Sequence, residues 1–181
     1  MSEMQEHPRF SGTFSYTKKS LLEIGYAALP LYTKILFPLL GLFLLGMGLY
    51  YLLGNWYKDT RYYFMLILSF VMSFYSFLRV TIYVHQFADR TMKRIEEMGK
   101  TDVVSHTALF EDHFVTGSTD STDTHTAAYD HLIRMQQTKH FILLWRPQKL
   151  YQPIEKATLE GGSVEELKAF LKEKNPQIRM R

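Results

Sequence analysis

The chain has 181 residues, which leaves space for one small domain besides a pair of membrane helices and excludes two large domains. It contains no cysteine, so a disulfide framework and a cysteine-type zinc site are both excluded. The formal charge of +3 and the sequence pI near 9.0 come from scattered residues rather than a block, which argues against nucleic acid as a partner.

The start of the chain, residues 2–8, is polar and is expected to be poorly ordered up to Arg9. From Phe10 to Tyr16 apolar and polar residues alternate, with Phe10, Gly12, Phe14 and Tyr16 on one parity, which is the period of a half-buried strand. A lone strand needs a sheet, and the other strand-like material lies beyond residue 100. The two ends of the chain are therefore expected to meet. From Thr17 to Leu29 the pattern is helical, with Ser20 and Glu23 spaced as a capping box and Pro30 as the break. Leu21, Leu22, Ile24, Ala28 and Leu29 beside Lys18 and Lys19 suit either a helix at a membrane interface or one packed on the sheet domain.

Ile35 to Leu53 is uncharged and would be roughly 28 Å long as a helix, the thickness of a bilayer's hydrocarbon core. Tyr62 to Leu78 is a second apolar run after a short polar connection, so the two are expected to form a transmembrane hairpin. Averaging these runs with polar ends gives a mean hydropathy of only −0.14. Some thirty mostly polar residues precede the first run and no A-x-A-like cleavage site follows, so it is read as a retained span rather than a signal peptide. Pro38 falls in the expected first turn of that span, and Trp56, Tyr57, Tyr62 and Tyr63 cluster at the loop as an interfacial belt would. Arg9, Lys18, Lys19 and Lys34 precede the hairpin and Arg79, Arg90, Lys93, Arg94 and Lys100 follow it, against Lys58 and Arg61 in the loop. The positive-inside rule then places both termini in the cytoplasm of a multi-pass cell-membrane protein.

Within the spans, Gly41 and Gly48 recur on one helix face, and Ser69, Ser73 and Ser76 form a small-residue stripe on the other helix. Small residues allow close backbone approach, so these five are the candidate helix-packing positions. Arg79 is read as snorkelling to the cytoplasmic headgroups. The second helix is expected to run on as a stalk to Met98, with Gly99 as its cap.

Beyond this point strands are expected at Val103–Phe110, Phe114–Thr119, Thr124–Asp130, Leu132–Thr138, Phe141–Arg146 and Lys149–Ile154. Phe141–Trp145 is apolar on both parities and reads as a central strand. Thr116 to Thr126 reads as a mobile hairpin end. A last helix follows Gly161 and Gly162, with a Ser163/Glu166 capping box and an apolar stripe of Val164, Leu167, Phe170 and Leu171 that should cover the sheet.

Phe110-Glu111-Asp112-His113-Phe114, Tyr129-Asp130-His131-Leu132, the apolar Phe141–Trp145 run, Tyr151 to Lys156 and an acidic terminal helix together resemble the C-terminal domain of the YcxB-like family of small bacterial membrane proteins. The resemblance covers nearly the whole chain in its order of elements. It implies a pleckstrin-homology-like antiparallel sheet or barrel capped by a helix, and it implies no activity. The organisation is then residues 1–34 as a cytoplasmic strand and interfacial helix, 35–84 as the hairpin, 85–101 as the stalk and 102–181 as the β domain.

Five histidines, His106, His113, His125, His131 and His140, share the β region with Asp112, Asp120, Asp123 and Asp130. No dense ligand spacing joins them, and surface or hydrogen-bonding roles are the expected reading. No G-x-S-x-G, P-loop or G-x-G-x-x-G motif is present, so catalytic, cofactor and metal residues are expected to be none. The expected function is a non-enzymatic membrane protein whose β domain binds a membrane-proximal protein or a second copy of the chain, with Trp145 and Tyr151 as candidate contact residues. Lipid-headgroup binding is the first alternative, set back by basic residues (Arg134, Lys139, Arg146, Lys149, Lys156) that look dispersed. A small transport component or membrane-bound enzyme is the second.

Overall fold

The computed structural model describes residues 7–99, 103–119 and 121–181. The expectations for residues 2–6, Lys100, Asp102 and Asp120 lie outside the described residues. The chain divides into two units, one of residues 1–24 with 91–181, the other Gly25–Arg90.

The first unit is built on two four-stranded sheets. In the first, β1 (Phe10–Ser15), β2 (Val104–Leu109), β3 (His113–Ser118) and β4 (Ser121–Ala128) are neighbours in that order, all antiparallel. In the second the order is β7 (Tyr151–Glu155), β6 (Phe141–Trp145), β5 (Arg134–Gln137) and β8 (Arg179–Met180), with β8 parallel to β5 and the rest antiparallel. β1 alternates buried and half-buried residues, and its register sets Phe10 opposite Leu109 and Phe14 opposite Ser105. Its outer edge is closed as well. Ser11 and Glu160 exchange main-chain bonds, and the Thr158 hydroxyl accepts from the Thr13 amide at 2.9 Å. Gly161 permits this closure: its φ is +91°, and a Cβ there would lie almost on the Arg9 carbonyl oxygen.

One hydrophobic cluster joins the sheets to α4 (Val164–Lys174). Phe10, Phe114, Ile142, Leu144 and Ile154 meet Leu167, Phe170 and Leu171 from the helix, and Ile178 beyond it. Ser163 caps α4, its hydroxyl accepting from the Glu166 amide while the Glu166 carboxylate accepts from the Ser163 amide. β6 is central and buried on both parities. Ile142 and Leu144 face the cluster, whereas Phe141, Leu143 and Trp145 are buried on the opposite face.

Several boundaries differ from the sequence reading for identifiable reasons. β4 begins at Ser121 and not Thr124, so the Thr- and Ser-rich tip is paired strand with a register shift between Thr116 and Ser118. A short 3-10 turn over Tyr129–His131 ends it, and the Tyr129 hydroxyl donates to the Phe110 carbonyl at 2.6 Å. Strand β8 carries no periodic signal at two residues long. The side-chain amide of Asn175 holds its approach by donating to the carbonyls of Tyr129 and Leu132.

α1 (Lys18–Ala28) leads from the first unit into the second. The expected Ser20/Glu23 capping box does not form. Thr17 fills the capping position, its hydroxyl accepting from the Ser20 amide, and Glu23 is drawn away to His140. Leu21 and Ile24 are buried, at 3% and 1% exposure.

The second unit is a helical hairpin of α2 (Leu31–Leu53) and α3 (Thr60–Glu97), joined through a turn in which Trp56–Lys58 forms a 3-10 segment and Asn55 is left-handed. Both helices are long and apolar enough to cross a membrane. α2 starts four residues before the expected Ile35, so Pro38 lies inside the helix and not in its first turn. α3 runs unbroken to Glu97 and is followed by Gly99 at φ +70°.

Replacing Phe14 (0% exposed) with Asp puts a charge against Phe141 and Tyr16, whose ring centroids lie 5.5 and 4.8 Å away. The expected loss is more than about 3 kcal/mol, read as new protease cleavage between residues 103 and 181 of the full chain. Unchanged resistance would mean that the β1 pairing contributes nothing to the domain.

Candidate functional site

A carboxylate, an imidazole and a hydroxyl meet at Glu23, where His140 and Thr138 both bond to the carboxylate. Three of the histidines fall into separate pairs: His113 Nδ1 with Asp112 at 2.5 Å, His131 with Asp130 at 3.9 Å, and His140 with Glu23 at 2.7 Å. No group of three or more His, Asp or Glu that would hold a metal ion occurs among the described residues. A cavity of about 380 Å³ lies against β5 and α4, lined by Met135, Gln137, Lys168, Met180 and Arg181. The charge in its wall is partly offset, since Lys168 donates to Glu165 at 2.6 Å.

The five small residues of the hairpin lie where its two helices meet. Gly41 and Gly48 are buried on α2, and Ser69, Ser73 and Ser76 are 5%, 3% and 3% exposed on α3. The Ser73 hydroxyl donates to the Gly41 carbonyl at 2.8 Å, a bond between helices, whereas the Ser69 hydroxyl turns back to Leu66 within its own helix. A Cβ at Gly48 would sit 2.9 Å from Ser69 Oγ and 3.1 Å from the Phe70 ring, and one at Gly41 would touch Phe77 at 3.0 Å. These faces are therefore consumed inside the hairpin, and association of two copies would have to use other surfaces. At the turn, Tyr50, Tyr51, Trp56 and Tyr62 pack as an aromatic group, with the Trp56 and Tyr62 rings 4.8 Å apart. Arg79 is held over the Phe37 ring at 4.9 Å and bonds to the Tyr75 hydroxyl at 3.1 Å.

Trp145 is placed differently from a contact residue. It is 6% exposed, packed against Tyr151 at 5.0 Å and covered by the Arg134 guanidinium at 4.3 Å. Tyr151 is half-buried, and burial, then the charge of Tyr16, pushes its hydroxyl up to about 12. The exposed apolar residues nearby are Ile133 and Leu150, at 49% and 53%, which flank Arg146: Ile133 bonds to Trp145, and Leu150 accepts from the Arg146 amide. Both fall inside strands in the sequence reading, Leu132–Thr138 and Lys149–Ile154, whereas β5 begins at Arg134 and β7 at Tyr151 and leaves each just outside.

The Glu23–His140 contact was also missed, since nothing in sequence links residues 117 apart. The Glu23 carboxylate accepts from the His140 main-chain amide at 2.8 Å and from its ring at 2.7 Å. Burial opposes ionisation of Glu23, but the bonds from His140 and Thr138 outweigh it and hold the carboxyl below its ordinary value of 4.5.

Comparison with family models, curated proteins and solved structures returns no match for the chain.

Two outcomes follow from these contacts. Because Glu23 is depressed in the folded state, its contribution is fully present above the ordinary value of 4.5 and is lost as pH falls through the lowered one. Glu23→Gln should flatten the fall in thermal stability below pH 5 and cost about 1–2 kcal/mol at neutral pH. In the hairpin, Ser73→Ala should cost less than about 1 kcal/mol and Gly48→Leu distinctly more, read by resistance of the full chain to unfolding in detergent.

Proposed function

We propose that the chain is a membrane-anchored, non-catalytic interaction module of YcxB-like type, in which a helical hairpin holds a pleckstrin-homology-like domain at the cytoplasmic face. The observation that carries this reading is the outward band of apolar side chains on α2 and α3. Leu36, Phe43, Phe64 and Phe74 are 57–67% exposed, and few residues of either apolar stretch are buried. A core helix of a water-soluble domain buries such residues, whereas a lipid-facing helix presents them. The aromatic group at the turn suits an interfacial belt, and the excess of Lys and Arg on the flanks over Lys58 and Arg61 in the turn supports cytoplasmic termini.

The pleckstrin-homology-like reading is supported by two mainly antiparallel sheets and a helix near the end of the chain that fills their shared core. A fold licenses no activity by itself. The partner is a protein that meets the domain at Ile133, Leu150 and Tyr151, where apolar surface is exposed beside an arginine, a composition typical of contact centres.

Topology is testable because the chain has no cysteine of its own. Lys58→Cys should react with an impermeant thiol reagent on intact cells, and His125→Cys only after permeabilisation. The opposite pattern would invert the orientation, and extraction of the full chain by alkaline carbonate would remove the membrane reading. A photo-crosslinking residue at Leu150 should give a discrete adduct in living cells that disappears in Ile133→Asp; an adduct unaffected by that change would exclude this surface.

A further inference from the structure

Strand β8 and the residue after it bring two arginines to the edge of β5. The Arg179 amide donates to the Ile133 carbonyl at 3.2 Å, the Arg181 amide to the Met135 carbonyl at 3.0 Å, and the Gln137 amide to the Arg181 carbonyl at 3.0 Å. In this parallel register Arg179 stands opposite Arg134, and Arg181 follows two residues further on, close enough for its charge to act on Arg134. Like charges on directly opposed strand positions are destabilising, so the placing of Arg179 opposite Arg134 is a cost to the fold. Among the described residues, none of the three forms an ion pair with a carboxylate. Burial, then the field of Arg181, pulls Arg134 below the ordinary arginine range.

The same place holds buried donors without acceptors. Arg134 lies over the Trp145 ring at 4.3 Å, which fixes its guanidinium, and both Arg134 Nε and Trp145 Nε1 are buried with no hydrogen-bond partner. Each unsatisfied donor costs about 1–3 kcal/mol. Repelling cations and orphaned N–H groups share one remedy, an oxyanion.

We propose that Arg134, Arg179 and Arg181, with the indole N–H of Trp145, form a binding site for a phosphate-type anion on the sheet domain. A phosphoryl group fits better than a carboxylate: it offers three or more acceptor oxygens and up to two negative charges, and the arginine fork pairs with it in a bidentate manner. The site corrects the impression of dispersed basic residues, because Arg179 and Arg181 are far from Arg134 in sequence and reach it only through β8. It goes beyond the protein-contact reading and does not depend on membrane insertion.

The shared chemistry has two sources, a soluble phosphate and the phosphomonoester headgroup of a lipid, and two probes separate them. The full chain in an uncharged detergent is titrated with inorganic pyrophosphate and, separately, with dihexanoyl phosphatidic acid, against potassium chloride at matched ionic strength. Tryptophan fluorescence and the thermal midpoint are followed. A saturable response is expected in at least one arm, with affinity reduced at least ten-fold in Arg134→Gln and in Arg179→Gln and unchanged in Lys139→Gln, an exposed residue of the β5–β6 turn. A response to pyrophosphate identifies soluble phosphate, and a response to phosphatidic acid alone identifies a headgroup. If Arg134→Gln does not fold, Arg179→Gln and Arg181→Gln carry the test, since β8 pairs through its backbone. No saturable response in either arm, or wild-type affinity in a folded Arg179→Gln, overturns the proposal.

Discussion

The pairing of Phe10–Ser15 with Val104–Leu109 is the contact on which the rest of the first unit depends. Two neighbouring strands of one sheet are separated in the chain by all of α1, α2 and α3, so closing the sheet closes a very long loop. The entropic cost of loop closure rises only slowly with length, and a preformed helical hairpin has less freedom to lose than a flexible chain. What offsets that cost is burial. Phe10 and Phe14 are almost wholly removed from solvent, and Phe10 joins the cluster that also contains Phe170 of α4. Both edges of β1 are then satisfied, by β2 on one side and by Thr158 and Glu160 on the other. No edge of this strand is left to template aggregation.

Electrostatics in the unit follow two opposite patterns. Acidic groups are matched: Glu23 with His140, Glu111 with Arg9 and Lys174, and Glu166 with the amide of Ser163. Glu111 is exposed, and bonding to Lys174 leads the causes that lower its carboxyl below the ordinary range. The arginines of β5 and β8 are gathered without such matching. Arg134 and Arg179 stand opposite one another on β5 and β8, and such a concentration of like charge is where an anion gains most from electrostatic complementarity.

In the hairpin the small residues work through distance rather than chemistry. Gly41 and Gly48 bring the α2 backbone close enough for Ser73 to reach a main-chain carbonyl across the helix pair, and the rings of Phe70 and Phe77 fill what remains. Larger residues point outward. Arg79 shows how a single charge is tolerated on such a surface, spread over Phe37 and Tyr75 and bonded to the tyrosine hydroxyl.

The sequence by itself determined what depends on local periodicity and local chemistry. The alternation from Phe10 to Tyr16, the long apolar runs, the unbroken helix to the Gly99 cap, the doubly apolar Phe141–Trp145 and the Ser163/Glu166 cap were legible because each is a pattern within a few residues. Tertiary structure decided the features that join distant residues. The Ser20/Glu23 spacing suited a cap, yet Glu23 bonds more strongly to an amide and a ring at His140 than a second capping contact would allow. Trp145 looked like a surface anchor and is buried beneath Arg134, while Ile133 and Leu150, expected within strands, carry the exposed apolar area. β8 is too short to show a strand pattern, and Arg179 acquires meaning only when parallel pairing sets it opposite Arg134, because charge repulsion and orphaned donors are properties of positions in space and not of order along the chain.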